Sequence, residues 1–266
     1  MAKNTLLVRA IFLSTVLLAA SSWAASVSSP TAPVPAARFA TGASYDYFGG
    51  YLHKPRVAGV RIDDLPFKMN GVNAFFTYAP ATSINIGVDL GMRNVSLPQG
   101  DFEFNGKMGI AAGSHLKLST PYFGDVMGII AICRGLWFYS EDRNDRNAYY
   151  SGMDFTGAGG LSFHIKNIGY VSLGAKYFEI VGENSNEGNN RKWSNDATLG
   201  GFVSFDFFPQ TNMKNQIPFI SLEFGFFPND KPFYGGSPAI RNASFGVTIG
   251  AITHPLYGNS DRNWRP

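Results

Sequence analysis

The chain has 266 residues, and its 22 basic and 19 acidic side chains leave a formal net charge of only +3. That balance excludes a nucleic-acid partner recruited by charge. The single cysteine, Cys133, excludes a disulfide framework or a thiolate metal cluster. Thirty glycines and 23 phenylalanines argue against a helical protein, because each interior glycine costs a helix about 1 kcal/mol.

The chain begins with a predicted signal peptide over residues 1–24. Lys3 and Arg9 are its only charges, and the apolar run from Ala10 to Ala20 has the length of an h-region. It is too short to cross a bilayer. Ser22 and Ala24 supply the small residues of a cleavage site, so cleavage is expected after Ala24. Removal of Lys3 and Arg9 leaves 20 basic against 19 acidic side chains, a net +1. No later stretch approaches the ~18 consecutive apolar residues of a membrane-spanning helix. Residues 25–37, ASVSSPTAPVPAA, read as a flexible or polyproline-like linker.

From Arg38 the dominant period is two, the signature of strands. Segments 38–48 and 71–79 are short. In 83–94, Ile84, Ile86, Val88, Leu90 and Met92 share one face, opposite Asn85, Asp89 and Arg93. In 104–118, Phe104, Met108, Ile110, Ala112, Leu116 and Leu118 lie opposite Asn105, Lys107, Gly113, His115 and Lys117. Segment 126–139 is apolar on both faces apart from Arg134. An arginine facing lipid is expensive, so Arg134 is turned inward together with Val126, Ile130 and Ile132. Met127, Ile129, Ala131, Cys133, Trp137 and Tyr139 then point outward. Alternation continues through 153–165, 169–180, 196–207, 219–226 and 243–251.

Most of these segments run about 10–14 residues, longer than the strands of a soluble sandwich and suited to tilted strands crossing hydrocarbon. Their connections alternate. Short turns fall near 79–83, 119–124, 165–168 and 208–216. Longer polar loops fall near 49–70, 95–103, 140–152, 181–194 and 227–239. Ten strands result, an even number that returns both termini to one side. Tyr45, Tyr47, Phe48, Tyr78, Trp137, Tyr139, Tyr149, Tyr150, Phe207 and Phe208 sit near strand ends, as interface girdles do.

Over residues 38–252 this pattern of signal peptide, alternating strands and unequal loops resembles bacterial outer-membrane β-barrel proteins. The resemblance implies an all-β, antiparallel up-and-down transmembrane barrel in the outer membrane, with outer-membrane lipid and the barrel-assembly machinery as partners. Small solutes or surface ligands are further candidates. Many such barrels end on a strand with a terminal aromatic, whereas here the last strand ends near Ile252 and a polar tail, 253–266, follows.

With the apolar faces on lipid, the lumen receives Asp46, Asp89, Arg93, Lys107, His115, Lys117, Arg134, Asp154, His164, Lys176, Asp196, Asp206 and Glu223. Acids and bases nearly balance, as expected of ion pairs across a narrow interior. Asp89, Asp154 and Asp206 are the candidate partners of Arg134. The expected role is structural, surface-interacting or narrow-pore, and non-enzymatic, with a barrel hydrolase or a secreted ligand-binding β protein as alternatives. Ser114 and His115 are chain neighbours and so point to opposite faces of a strand, which prevents a nucleophile–base pair. His53 with Asp63 and Asp64 could converge at the rim. The four histidines, at 53, 115, 164 and 254, include no closely spaced ligand pair, so neither a metal nor a cofactor is expected. N-terminal sequencing of the membrane-bound protein is expected to begin at Ala25, and a retained Met1 would overturn the cleavage assignment.

Overall fold

A computed structural model describes residues 31–52, 56–57, 60–61, 65–97, 104–145, 147–186, 189–194, 198–209, 216–228 and 240–253. Ten long strands form the wall. They are β1 (Arg38–Leu52), β2 (Leu65–Ala81), β3 (Ile84–Leu97), β4 (Gly109–Ser119), β5 (Met127–Glu141), β6 (Tyr149–Ile165), β7 (Gly169–Asn186), β8 (Thr198–Phe207), β9 (Gln216–Pro228) and β10 (Ile240–Thr253). Each pairs antiparallel with its chain neighbours. The wall closes where β1 meets β10, from Ala40 opposite Ile252 to Gly49 opposite Ala243. Closure pairs both sides of each of the ten wall strands among the described residues, as a span through hydrocarbon requires.

Period-two chemistry places the faces. On β3, Ile86 and Leu90 are 52% and 62% exposed, whereas Asn85 and Arg93 are buried inside. The outer wall continues with Val88, Ile110, Ile129, Leu173, Leu199 and Ile249. Cys133 lies on that outer face with its thiol free. Arg134 points inward with Ile130 and Ile132, while Val126 lies before β5 in a turn and is exposed. The expected inward position of Val126 is therefore corrected: it precedes the regular strand and does not share its alternation.

A second correction concerns 104–109. Phe104–Asn105 pairs with the top of β3, Gly106 forms an isolated bridge to Asp142, and β4 starts only at Gly109. The irregular residues between them shift the alternation by one. Phe104 is therefore buried and Asn105 exposed, the reverse of the sequence expectation. The expected aromatic girdle also divides by parity. Tyr45, Tyr78, Trp137 and Phe207 face out, whereas Phe48, Tyr150 and Phe208 are buried inside.

The strand ends joined by the short connections (82–83, 120–126, 166–168 and 208–215) lie at one end, the turn end, together with the start of β1 and the end of β10. The strand ends joined by the longer connections share the other, loop end. There β7 continues into a hairpin with Asn189–Ser194, which Arg56–Val57 joins. Asn167 takes a left-handed conformation in the tight turn between β6 and β7 (φ +63°), which asparagine tolerates well.

Arginine placed at Val88 or Ile249 is expected to lower the stability of the lipid-folded barrel by about 2–4 kcal/mol, as for the midplane of other barrels, while Val88→Leu changes it little. A denaturant titration in lipid vesicles reads both, and equal tolerance of Arg and Leu would show that these side chains do not face lipid.

Candidate functional site

Inside the wall three layers follow one another from loop end to turn end. The first is aromatic. Phe48 from β1 stacks on Phe178 from β7 with ring centroids 4.6 Å apart, and Phe67, Phe138, Tyr150 and Phe227 pack around them. Strands from opposite sides of a narrow barrel send large rings to its axis, where they meet.

The second layer is ionic. Asp46 on β1 is its hub. Asp46 Oδ2 accepts from Arg93 Nη2 at 2.8 Å and from Arg134 Nη1 at 3.0 Å, while Asn73 Nδ2 donates to Asp46 Oδ1 at 3.0 Å. Arg93 also pairs with Asp154. Arg134 Nε lies 3.6 Å from Asp89 Oδ2, and the same oxygen lies 2.8 Å from His115 Nδ1. His115 Nε2 is 2.9 Å from Thr77 Oγ1. Glycines of the wall make room for this layer. A Cβ on Gly71 would meet Asp46 Oδ1 at 3.0 Å, and one on Gly87 would overlap the His115 ring. A separate clamp joins Lys176 Nζ to Glu223 Oε1 at 2.8 Å and to Ser244 Oγ at 3.0 Å.

The third layer closes the turn end. Ala40, Phe75, Tyr170, Phe208, Phe219 and Ile252 converge there. Tyr122, from the turn between β4 and β5, packs its ring edge-on against Tyr170 and donates its hydroxyl to Ser162 Oγ at 2.7 Å. Burial raises the pKa of the Tyr122 phenol, so the hydroxyl stays a donor. Residues 31–36 cross this layer. They belong to the stretch expected to be a flexible linker. Thr31, Ala32 and Val34 are instead fully buried in the lumen, where wall side chains meet the Thr31 hydroxyl and the backbone N–H and C=O groups of Ala32 and Val34.

Ten of the expected lumen residues are thus buried inside the wall: Asp46, Asp89, Arg93, His115, Lys117, Arg134, Asp154, Lys176, Asp206 and Glu223. Two are not. Lys107 precedes β4, is part-exposed, and approaches Glu141 at 3.9 Å. His164 sits at the turn end, with Nδ1 3.0 Å from the Asp125 carbonyl and its ring stacked on Tyr170. Asp196, His53, Asp63, Asp64 and His254 lie outside the described residues. The partner of Arg134 that sequence reasoning missed is Asp46, while Asp154 goes to Arg93 and Asp206 to the turn end. Arg38, Asn73, Thr77 and Asn85 are further buried polar residues not assigned to the network in advance. Their inward parity was the available signal. With Arg38, five buried basic side chains face five buried carboxylates on the described strands of the wall, beside His115.

Thr77, His115 and Asp89 form a hydroxyl–imidazole–carboxylate chain, the order used to activate a nucleophile. All three are buried, and Arg134 shares Asp89. Ser114, by contrast, is exposed on the outer face, away from His115.

The sequence matches no protein-family model and no curated protein. Among solved structures it is similar to the outer membrane protease OmpT of Escherichia coli (12% identity, 86% of this chain and 100% of that one, TM-score 0.46). It is also similar to the translocator domain of the autotransporter NalP of Neisseria meningitidis (10% identity, 82% and 88%, TM-score 0.47). A third is Ail, the attachment invasion locus protein of Yersinia pestis (12% identity, 81% and 97%, TM-score 0.34). At these identities and TM-scores no residue role passes from any of them to this chain.

Arg93→Ala and Arg134→Ala are each expected to lower unfolding free energy by about 3–5 kcal/mol, because each strands buried carboxylates. Adding Asp89→Asn to Arg134→Ala should recover part of the loss. Urea titration of the barrel refolded in lipid measures all three, and an unchanged Arg134→Ala midpoint would refute the ionic layer.

Proposed function

We propose that this chain is a non-enzymatic barrel of the bacterial outer membrane, delivered by its signal peptide, whose interior is a packed pillar and whose loop end is its working surface. The observation that carries this reading is the filled lumen. An aromatic layer, an ionic layer and a crossed turn end follow one another along the axis, and ten strands enclose little more room than their own side chains occupy. The continuous apolar belt supports a lipid environment, since a soluble barrel would expose Leu90, Ile110, Leu199 and Ile249 to water. Short turns at the end where β1 starts and β10 finishes support a periplasmic orientation for that end.

Burial of the Thr77–His115–Asp89 chain favours a wall role over hydrolysis, because a substrate has no route to a hydroxyl 1% exposed. The loop end offers built features instead. Asp142 Oδ1 accepts from the Asn144 backbone at 2.7 Å and Oδ2 from the Asn105 backbone at 2.9 Å, which braces the loop between β5 and β6 against its neighbour. Such a braced, polar loop suits contact with a surface ligand.

In planar bilayers the refolded protein is expected to show no steady conductance. In the native host it should fractionate with the outer membrane and shift on a detergent gel when boiled. A large steady conductance would overturn the closed pillar, and recovery in the soluble fraction would overturn the location.

A further inference from the structure

Residues 31–36, Thr-Ala-Pro-Val-Pro-Ala, cross the turn end of the lumen without joining any strand. An extended chain taken out of water must find an acceptor for every N–H. Proline has none to satisfy, and prolines stand at 33 and 35. Of the four remaining residues, Ala32, Val34 and Ala36 have their N–H groups met by side chains of the barrel. Ala32 N–H donates to Asp206 Oδ2 at 2.6 Å, Val34 N–H to Asn85 Oδ1 at 2.9 Å, and Ala36 N–H to Thr82 Oγ1 at 3.2 Å.

The carbonyls are read as well. Lys117 Nζ donates to Ala32 O at 2.9 Å, and Asn85 Nδ2 donates to Val34 O at 3.2 Å. Ala32 is thus held between an anion and a cation, and Val34 by both ends of one amide. Thr31 Oγ1 lies 2.7 Å from Asp206 Oδ2 and from Ser204 Oγ, and 3.2 Å from Ser172 Oγ. Four strands supply these groups: Asn85 comes from β3, Lys117 from β4, Ser172 from β7, and Ser204 and Asp206 from β8. The match is specific, because moving the register by one residue would set a proline, with no N–H, against Asn85 or Asp206.

We propose that the turn-end half of the lumen is a receptor site for an extended, proline-alternating peptide that begins with a hydroxyl residue, and that residues 31–36 occupy it in cis as a removable plug. Removal leaves the wall intact. The segment's contacts are with side chains, and the backbone bond from Ala37 N–H to Ala79 O belongs to the turn into β1, where Ala37 takes φ +58°. The site also accounts for Asp206, Lys117 and Asn85 being buried on the wall at all, since charged and amide groups so placed need polar partners. This inference goes beyond the closed-pillar reading. The aromatic and ionic layers do not depend on the plug, so conductance tests the pillar and the following experiment tests the plug.

Full-length protein carrying Cys133→Ser and Val34→Cys is refolded in detergent, its fold is checked by the heat-dependent gel shift, and its reaction with a water-soluble maleimide is timed. Ser83→Cys, in an exposed turn, is the reference, and Ala32→Cys repeats the measurement at a second position. Both plug thiols should react at least about tenfold more slowly than the reference, as segments protected by local structure do. Asn85→Ala or Asp206→Asn should remove most of that protection while the gel shift persists. Free peptide TAPVPA should accelerate labelling in a saturable way by competing for the site. TAAVAA, whose extra N–H groups find no acceptors, should not. Plug thiols that react as fast as the reference would show that the segment is not seated. Labelling unaffected by TAPVPA at any concentration, or accelerated equally by TAAVAA, would show that the site is not an exchangeable receptor for this class of peptide.

Discussion

A sheet that spans hydrocarbon has to close on itself, because an unpaired row of backbone groups finds no water there. Here β1 and β10 close the ring after ten strands, and the rest of the structure follows from the narrow bore that results. Side chains from opposite walls reach one another across such a bore. Large rings therefore meet on the axis, and an ionised group must find an opposite charge or a strong hydrogen bond within a few ångströms.

The ionic layer meets that demand by sharing. Asp46 serves Arg93, Arg134 and Asn73 at once, and Asp89 serves Arg134 and His115. The hub ties β1, β2, β3 and β5 together, and Asp154 adds β6 through Arg93. A network of this kind holds non-neighbouring staves at fixed distances, which the wall hydrogen bonds alone do not do. Its stability comes from every member being present, since a pair broken on one side leaves the other charge buried.

The N-terminal segment shows the same rule applied to backbone. Prolines at 33 and 35 bring no N–H into the lumen, and Asp206, Asn85 and Thr82 serve those of Ala32, Val34 and Ala36. A composition that reads as a linker in water is, in this bore, the set of residues that a polar wall can bury.

Much of the wall was legible in the sequence because a strand repeats every two residues and lipid punishes a wrong face. That constraint alone put Ile86, Val88 and Leu90 outside and turned Arg134 inward. It failed where the strand itself broke. Around Gly106 the alternation shifts, so Phe104 and Asn105 exchanged faces and Lys107 left the lumen. Face assignment is local, whereas partner choice is not. That Arg134 meets Asp46, 88 residues away, and that Ala32 lies between Asp206 and Lys117, depend on strand register and barrel closure. Those are set by the whole ladder of hydrogen bonds together, and only the tertiary structure decided them.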